Sequence, residues 1–165
     1  MKYKRIFNTI FFAVAAYAIY LRLPVILSHF EFQDKVIPNF KMRTLDGGEF
    51  ELYQQKKVAL VFWATWCGPC EVELKRINKM IVDKKIRPEN VLAVAGLEDQ
   101  KLIEETMKKN GYQFPVGLDF DENASKIFKV QATPTIVFID EKHTVEWMTS
   151  GLSPTLEYRL SSFLR

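Results

Sequence analysis

Cysteine and histidine are scarce in this chain, with two of each among 165 residues. A small secreted fold stapled by disulfides needs more cysteines at wider spacing, so Cys67 and Cys70 read as chemistry rather than architecture. Zinc normally takes four ligands, and the only further nitrogen donors of that type, His29 and His143, have no ligand-like spacing. No metal site is expected. Internal repeats and low-complexity tracts are absent from the sequence. Most of the chain also lacks an excess of positive charge. The net charge is +3, yet Lys2, Lys4, Arg5 and Arg22 all lie in the first 23 positions, where no acid occurs. The remainder holds 19 of the 23 basic residues against all 20 acidic ones. A near-neutral body removes the main electrostatic support for nucleic-acid binding, and no nucleic-acid partner is expected.

What is present begins with a basic flank, Met1-Lys2-Tyr3-Lys4-Arg5, followed by an uncharged run from Ile6 to Leu21. That order reads as a membrane-targeting segment with its positive end in the cytoplasm. Sixteen helical residues reach about 24 Å, short of the roughly 30 Å hydrocarbon core. If Arg22 snorkels, the apolar stretch extends through Leu23 to Leu27. The rival reading is a cleaved signal peptide at Ala16-Tyr17-Ala18, and a buried N-terminal helix is a third. The first two both export the rest of the chain. The expected organisation is an anchor or signal segment at 1–27, a polar linker at 28–35 and one domain at 36–165.

Within that domain, Asp46-Gly47-Gly48 is a turn signal that closes an N-terminal hairpin ending near Leu52. Lys57 to Ala64 is nearly continuously apolar, as in a central strand covered on both faces. A helix is expected from about Pro69 to Asp83, with Leu74, Ile77 and Ile81 as its buried stripe. A second buried strand spans Val91 to Gly96, and a helix spans Leu102 to Asn110 with Gly111 as its stop. A short strand at 114–118 and a short helix at 124–128 follow. Strands at 135–139 and 144–149 are joined through Asp140-Glu141-Lys142-His143 as a hairpin, the joint being too short for a parallel crossover. A last helix carries Leu156, Leu160 and Phe163. The order βαβ, an added αβα, then ββα indicates an α/β domain with a mixed central sheet flanked by helices.

Two cysteines three apart, after a strand and at the start of a helix, have a physical use. The helix dipole and the free N–H groups of the first turn stabilise a thiolate at Cys67. Cys70, one turn in, is placed to attack a mixed disulfide and release the substrate. Cys67 is therefore the expected exposed nucleophile and Cys70 the resolving thiol. A static structural disulfide is the competing reading.

The segment Phe62-Trp63-Ala64-Thr65-Trp66-Cys67-Gly68-Pro69-Cys70 resembles the active-site segment of thioredoxins, and Ala132-Thr133-Pro134-Thr135 resembles their cis-proline loop. The resemblance implies a thioredoxin-like fold in which Thr133 and Pro134 flank the redox pair and bind the substrate chain as an added strand. Trp66 would form the rim, and Gly68 and Pro69 the active-site loop. The closer likeness is to the membrane-tethered TlpA/ResA group. It rests on the N-terminal segment, on Val36-Ile37-Pro38-Asn39-Phe40 with Asp46-Gly47, on the 64-residue gap from Cys70 to Pro134, and on Glu73. That gap leaves room for an extra strand and helix. Glu73 matches an acid the group carries near its cysteines, and as a partly buried group it would raise a thiol pKa or relay a proton to Cys70. A solvent-facing glutamate near Arg76 is the plainer alternative. Ordinary thioredoxins carry a buried aspartate on the preceding strand; Val61 stands at that position here and moves no proton.

The resulting expectation is an extracytoplasmic thiol–disulfide oxidoreductase, with Cys67, Cys70 and Glu73 catalytic and no cofactor beyond the redox-active disulfide. The resemblance implies a reductant of exported proteins, including a role in cytochrome c maturation. Its partners would be exported disulfide or dithiol substrates, a membrane thiol electron donor, and the membrane itself through the N-terminal segment. An oxidase or isomerase, and a non-catalytic binding module of the same fold, are the alternatives.

Overall fold

The apolar run after Lys57 becomes the middle of a seven-stranded mixed sheet in the computed structural model. The structure describes residues 34–164 without a break, together with residue 32 and, nearer the N-terminus, residues 7–8, 10–17 and 19–20. The strands are β1 (Lys41–Thr44), β2 (Glu49–Glu51), β3 (Val58–Trp63), β4 (Val91–Ala95), β5 (Val116–Leu118), β6 (Thr135–Ile139) and β7 (Val145–Ser150). Their spatial order is β2-β1-β5-β4-β3-β6-β7. The pairs β3–β4 and β4–β5 are parallel, and the others are antiparallel. Four helices complete the described domain: α1 (Gly68–Val82), α2 (Gln100–Asn110), α3 (Asn123–Ile127) and α4 (Leu156–Phe163).

All six β3 residues are buried because the sheet is covered on both faces, and the strand's period of two divides them. Ala59, Val61 and Trp63 join Leu74 and Ile77 of α1, Ile103 of α2, and Leu156, Leu160 and Phe163 of α4. Val58, Leu60 and Phe62 face the opposite cluster, with Phe32, Phe40, Phe50 and Phe128. Phe32 lies in the stretch read as a linker, yet it is buried against Phe128 with ring centroids 6.2 Å apart. Packing therefore starts before residue 36.

The N-terminal hairpin forms as expected, and it also extends the sheet, with Arg43 and Thr44 of β1 pairing Leu118 and Gly117 of β5. Gly117 leaves room at that crossing for the Met42 side chain, whose sulfur would have to shift if a Cβ were added there. Helix α2 starts at Gln100 rather than Leu102 because Asp99 caps it, accepting from the Lys101 N–H at 2.7 Å. Strand β5 starts at Val116, after Pro115, which has no N–H for the ladder. His143, expected on an exposed hairpin, closes the β6–β7 turn but stacks on Tyr53 at 4.1 Å and is half-buried.

The described residues between 7 and 20 are helical, and Phe7, Ile10, Phe11, Phe12, Val14, Tyr17, Ile19 and Tyr20 are exposed. No helix among the described residues is long and apolar enough to cross a membrane. The basic flank, Ala18 of the A-x-A site, Arg22, Leu23 to Leu27 and His29 lie outside the described residues.

Candidate active site

Strand β3 ends at Trp63, and the turn Ala64-Thr65-Trp66 delivers Cys67 to the start of α1. The Cys67 N–H donates to the Ala64 carbonyl at 3.1 Å. Cys67 is the N-cap of α1, in extended conformation, and its sulfur accepts from the Cys70 N–H at 3.2 Å. That contact and the helix N-terminus both favour negative charge on Cys67 rather than Cys70. The two cysteines form a disulfide. Cys67 retains 6% of its surface and Cys70 none. Cys67, expected as an exposed nucleophile, is thus nearly closed over, and it is the one residue of the pair that retains any surface. Gly68 and Pro69 are exposed in the first turn, where proline's missing N–H is not needed.

The second segment arrives through β6. Phe62 pairs Thr135, so Pro134 lies at the end of β3 from which the active-site turn departs. The Thr133–Pro134 bond is cis. Pro134 is buried and Thr133 half-buried. The Pro134 carbonyl accepts from the Gly151 N–H at 2.7 Å, and the Thr135 hydroxyl donates to the Ala132 carbonyl at 2.7 Å. Trp66 is 80% exposed. Trp66 and Thr133 share the walls of a cleft of about 240 Å³ with Leu97, Glu98 and Val130. Cys67 lines a smaller cleft of about 120 Å³ on the α2 side, with Trp63, Glu71, Lys109 and Tyr112.

Glu73 is not solvent-facing. It is fully buried on the stripe of α1 that holds Leu74 and Ile77. One carboxylate oxygen accepts from the Ser153 N–H and the other from Arg76 at 2.9 Å. Arg76 also donates to the Ser153 carbonyl at 2.8 Å and to Glu157 at 3.3 Å. Glu73 thereby ties α1 to the loop between β7 and α4. Val61 is fully buried between Ala93 and Ile136, so β3 carries no carboxylate at that point.

One acid at the site was missed in the sequence. Glu98 follows β4 and reaches across to the active-site turn, accepting from the Thr65 N–H at 3.0 and 3.2 Å and from the Thr65 hydroxyl at 2.6 Å. Its one sequence signal is position, just past the C-terminal end of a buried parallel strand, where α/β sheets carry their sites. On the α2 side, the Lys75 ammonium and, more distantly, Lys109 hold the Glu71 carboxyl below its usual range. Burial pushes the Tyr112 phenol up to about 12.

A parallel strand that hands a CxxC pair to a helix N-terminus, beside a cis-proline loop, defines a thioredoxin-like domain. The chain belongs to the AhpC/TSA family, whose model matches residues 34–148. It is 32% identical over 116 residues to thiol-disulfide oxidoreductase ResA of Geobacillus kaustophilus, covering 69% of this chain and 67% of that protein. The ResA of Bacillus thuringiensis is likewise 32% identical, with 63% of its length covered. Among solved structures, MTB dsbF matches with a TM-score of 0.65 and 26% identity, covering 79% of this chain and 100% of that one. StoA from Bacillus subtilis matches with a TM-score of 0.65 and 24% identity, covering 79% and 98%.

Proposed function

We propose that this protein is a thiol–disulfide oxidoreductase that reduces disulfides of exported proteins through Cys67 and Cys70. The observation that carries the reading is the asymmetry of the pair. Both sulfurs are linked, yet only Cys67 meets the surface, at a helix N-terminus. The reduced Cys67 thiolate attacks a substrate disulfide and expels one substrate thiolate. The Cys70 thiolate then attacks the Cys67 sulfur and expels the second. Two electrons pass to the substrate, two protons follow them, and the enzyme is left with its disulfide. The substrate chain lies along Thr133 and Pro134, with Trp66 at the rim. No cofactor beyond the disulfide takes part, and a membrane thiol donor restores the dithiol.

Glu73 supports this site through Ser153 and Arg76. Both its oxygens already accept hydrogen bonds, which favours holding the loop over carrying a proton. The N-terminal segment anchors the domain on the extracytoplasmic side. The exposed apolar side chains of the helical residues between 7 and 20, after a basic flank, support that placement. Disulfides reduced during cytochrome c maturation are substrates of the kind the TlpA/ResA resemblance suggests.

The test is a pair of variants assayed for thiol exchange. Cys70→Ser accumulates a mixed disulfide through Cys67, and Cys67→Ser is inactive. Exchange persisting in Cys67→Ser overturns the mechanism, and a non-catalytic module traps nothing in either variant. A reduction potential near about −270 mV supports a reductant, whereas one near about −120 mV makes the protein an oxidant.

A further inference from the structure

Glu98 sits 28 positions beyond Cys70 and plays no part in the exchange steps above, yet it makes the densest set of side-chain contacts to the active-site turn. The turn between β3 and α1 has little to hold it. The Ala64 carbonyl takes the Cys67 N–H, while Thr65 is half-buried and Trp66 projects into solvent. The Thr65 N–H has no partner in the sheet, because β3 stops at Trp63. Glu98 supplies that partner with both carboxylate oxygens and takes the Thr65 hydroxyl as well. Glu98 is itself positioned by the tight turn after β4, where its N–H donates to the Gly96 carbonyl at 2.8 Å. A carboxylate from one parallel strand end therefore pins the turn that leaves its neighbour.

The position also has an electrostatic consequence. Two residues of chain span at most about 7 Å, so a charge bound at Thr65 lies close to Cys67. Glu98 is half-buried, and salt screens a partly buried charge much less than the Debye length of about 8 Å would suggest for exposed groups. A negative charge there opposes the helix N-terminus, which favours a Cys67 thiolate. Disfavouring the thiolate disfavours the reduced form relative to the neutral disulfide, and so makes the reduced protein a stronger reductant.

We propose that Glu98 is a positioning residue of the redox site: it fixes the Thr65–Trp66 turn that presents Cys67, and its charge keeps the pair reducing. The proposal rests on Cys67 being the reactive thiol. Three variants separate its parts: Glu98→Gln, Glu98→Ala and Thr65→Val. Glu98→Gln can still accept the Thr65 N–H and still meet the hydroxyl, but it carries no charge. The readouts are the pH profile of Cys67 alkylation by iodoacetamide in the reduced protein, and the exchange equilibrium against glutathione.

With Glu98→Gln, the alkylation profile moves to lower pH and the glutathione equilibrium moves about threefold or more toward the reduced protein. Glu98→Ala shows the same shift and also exchanges more slowly, because the turn is unpinned. Thr65→Val keeps the charge, so it slows exchange while leaving the profile in place. An unmoved profile and equilibrium in both Glu98 variants overturn the proposal, whether or not either variant loses stability. A Thr65→Val profile that shifts as far as that of Glu98→Gln overturns the charge assignment. If Cys67 does not react with iodoacetamide in the parent protein at any pH, it is the exchange mechanism that fails, and that outcome is distinct from the others.

Discussion

Toward α4, the redox helix α1 meets a flank in which the charged groups are matched. Glu73 is held by Ser153 and Arg76, Arg76 also reaches Glu157, and the same loop donates the Gly151 N–H to Pro134. Toward α2, the helix borders the small cleft at Cys67, where two buried polar atoms, Trp63 Nε1 and Tyr112 Oη, have no hydrogen-bond partner among the described residues. The difference separates two tasks. A matched buried network fixes one arrangement, and here it links α1 to the β7–α4 loop, whose Gly151 N–H in turn bonds Pro134 of the cis-proline loop. The α2 flank presents polar walls with room for water beside Cys67.

The comparison is tested most severely at Glu73. Glu73→Ala takes the acceptor from the buried Ser153 N–H and one of several acceptors from the Arg76 guanidinium, which keeps Glu157 and the Ser153 carbonyl. Truncating one partner of a buried pair costs about 3–5 kcal/mol; because the Arg76 side chain is 27% exposed, the lower end is expected. Glu73→Gln can still accept from Ser153 and should lose about 1–2 kcal/mol. Denaturant titration of the oxidised protein measures both. A loss below about 1 kcal/mol for Glu73→Ala would remove the contrast between the flanks.

A smaller effect is expected at Gly151, which adopts a φ of +81° while its N–H bonds the Pro134 carbonyl. A Cβ there meets nothing within 4 Å, so Gly151→Ala probes backbone strain alone. The expected destabilisation is about 1 kcal/mol. On the proposed mechanism exchange should slow with it, because Gly151 donates to Pro134 of the cis-proline loop. Unchanged exchange at the same loss of stability would confine the matched flank to a structural role.

The sequence revealed these flanks unequally. The cysteine pair, Pro134 and the stripe Leu74, Ile77 and Ile81 were legible because spacing and local chemistry define them. Glu73 was placed on the right helix, but its partner Ser153 lies 80 residues away, and no local pattern states that a loop will arrive there. Glu98 was invisible for the same reason, since its contact with Thr65 crosses 33 residues and depends on β3 and β4 lying parallel in register. Phe32 looked like linker because its neighbours are polar, and only the aromatic cluster around Phe128 explains its burial. What stayed hidden was the pairing of side chains from distant elements.

The α2 flank offers the mildest test. The Tyr112 ring stacks on Phe114 at 5.1 Å, and its buried hydroxyl has no partner among the described residues. Removing that hydroxyl breaks no hydrogen bond among the described residues, so Tyr112→Phe should change stability at pH 7 by less than about 0.5 kcal/mol. At high pH the two proteins should part. Burial, and secondarily the Glu71 charge, raise the phenol from its ordinary 10 to about 12 in the folded protein. The folded state therefore holds this proton more tightly than the unfolded chain does. Stability from this source is complete below pH 10 and is lost as pH rises toward 12. Denaturation midpoints measured between those limits should fall more steeply for the parent than for Tyr112→Phe. Parallel curves would mean that the phenol ionises as easily as in water, and that the cleft beside Cys67 is open to solvent rather than walled by α2.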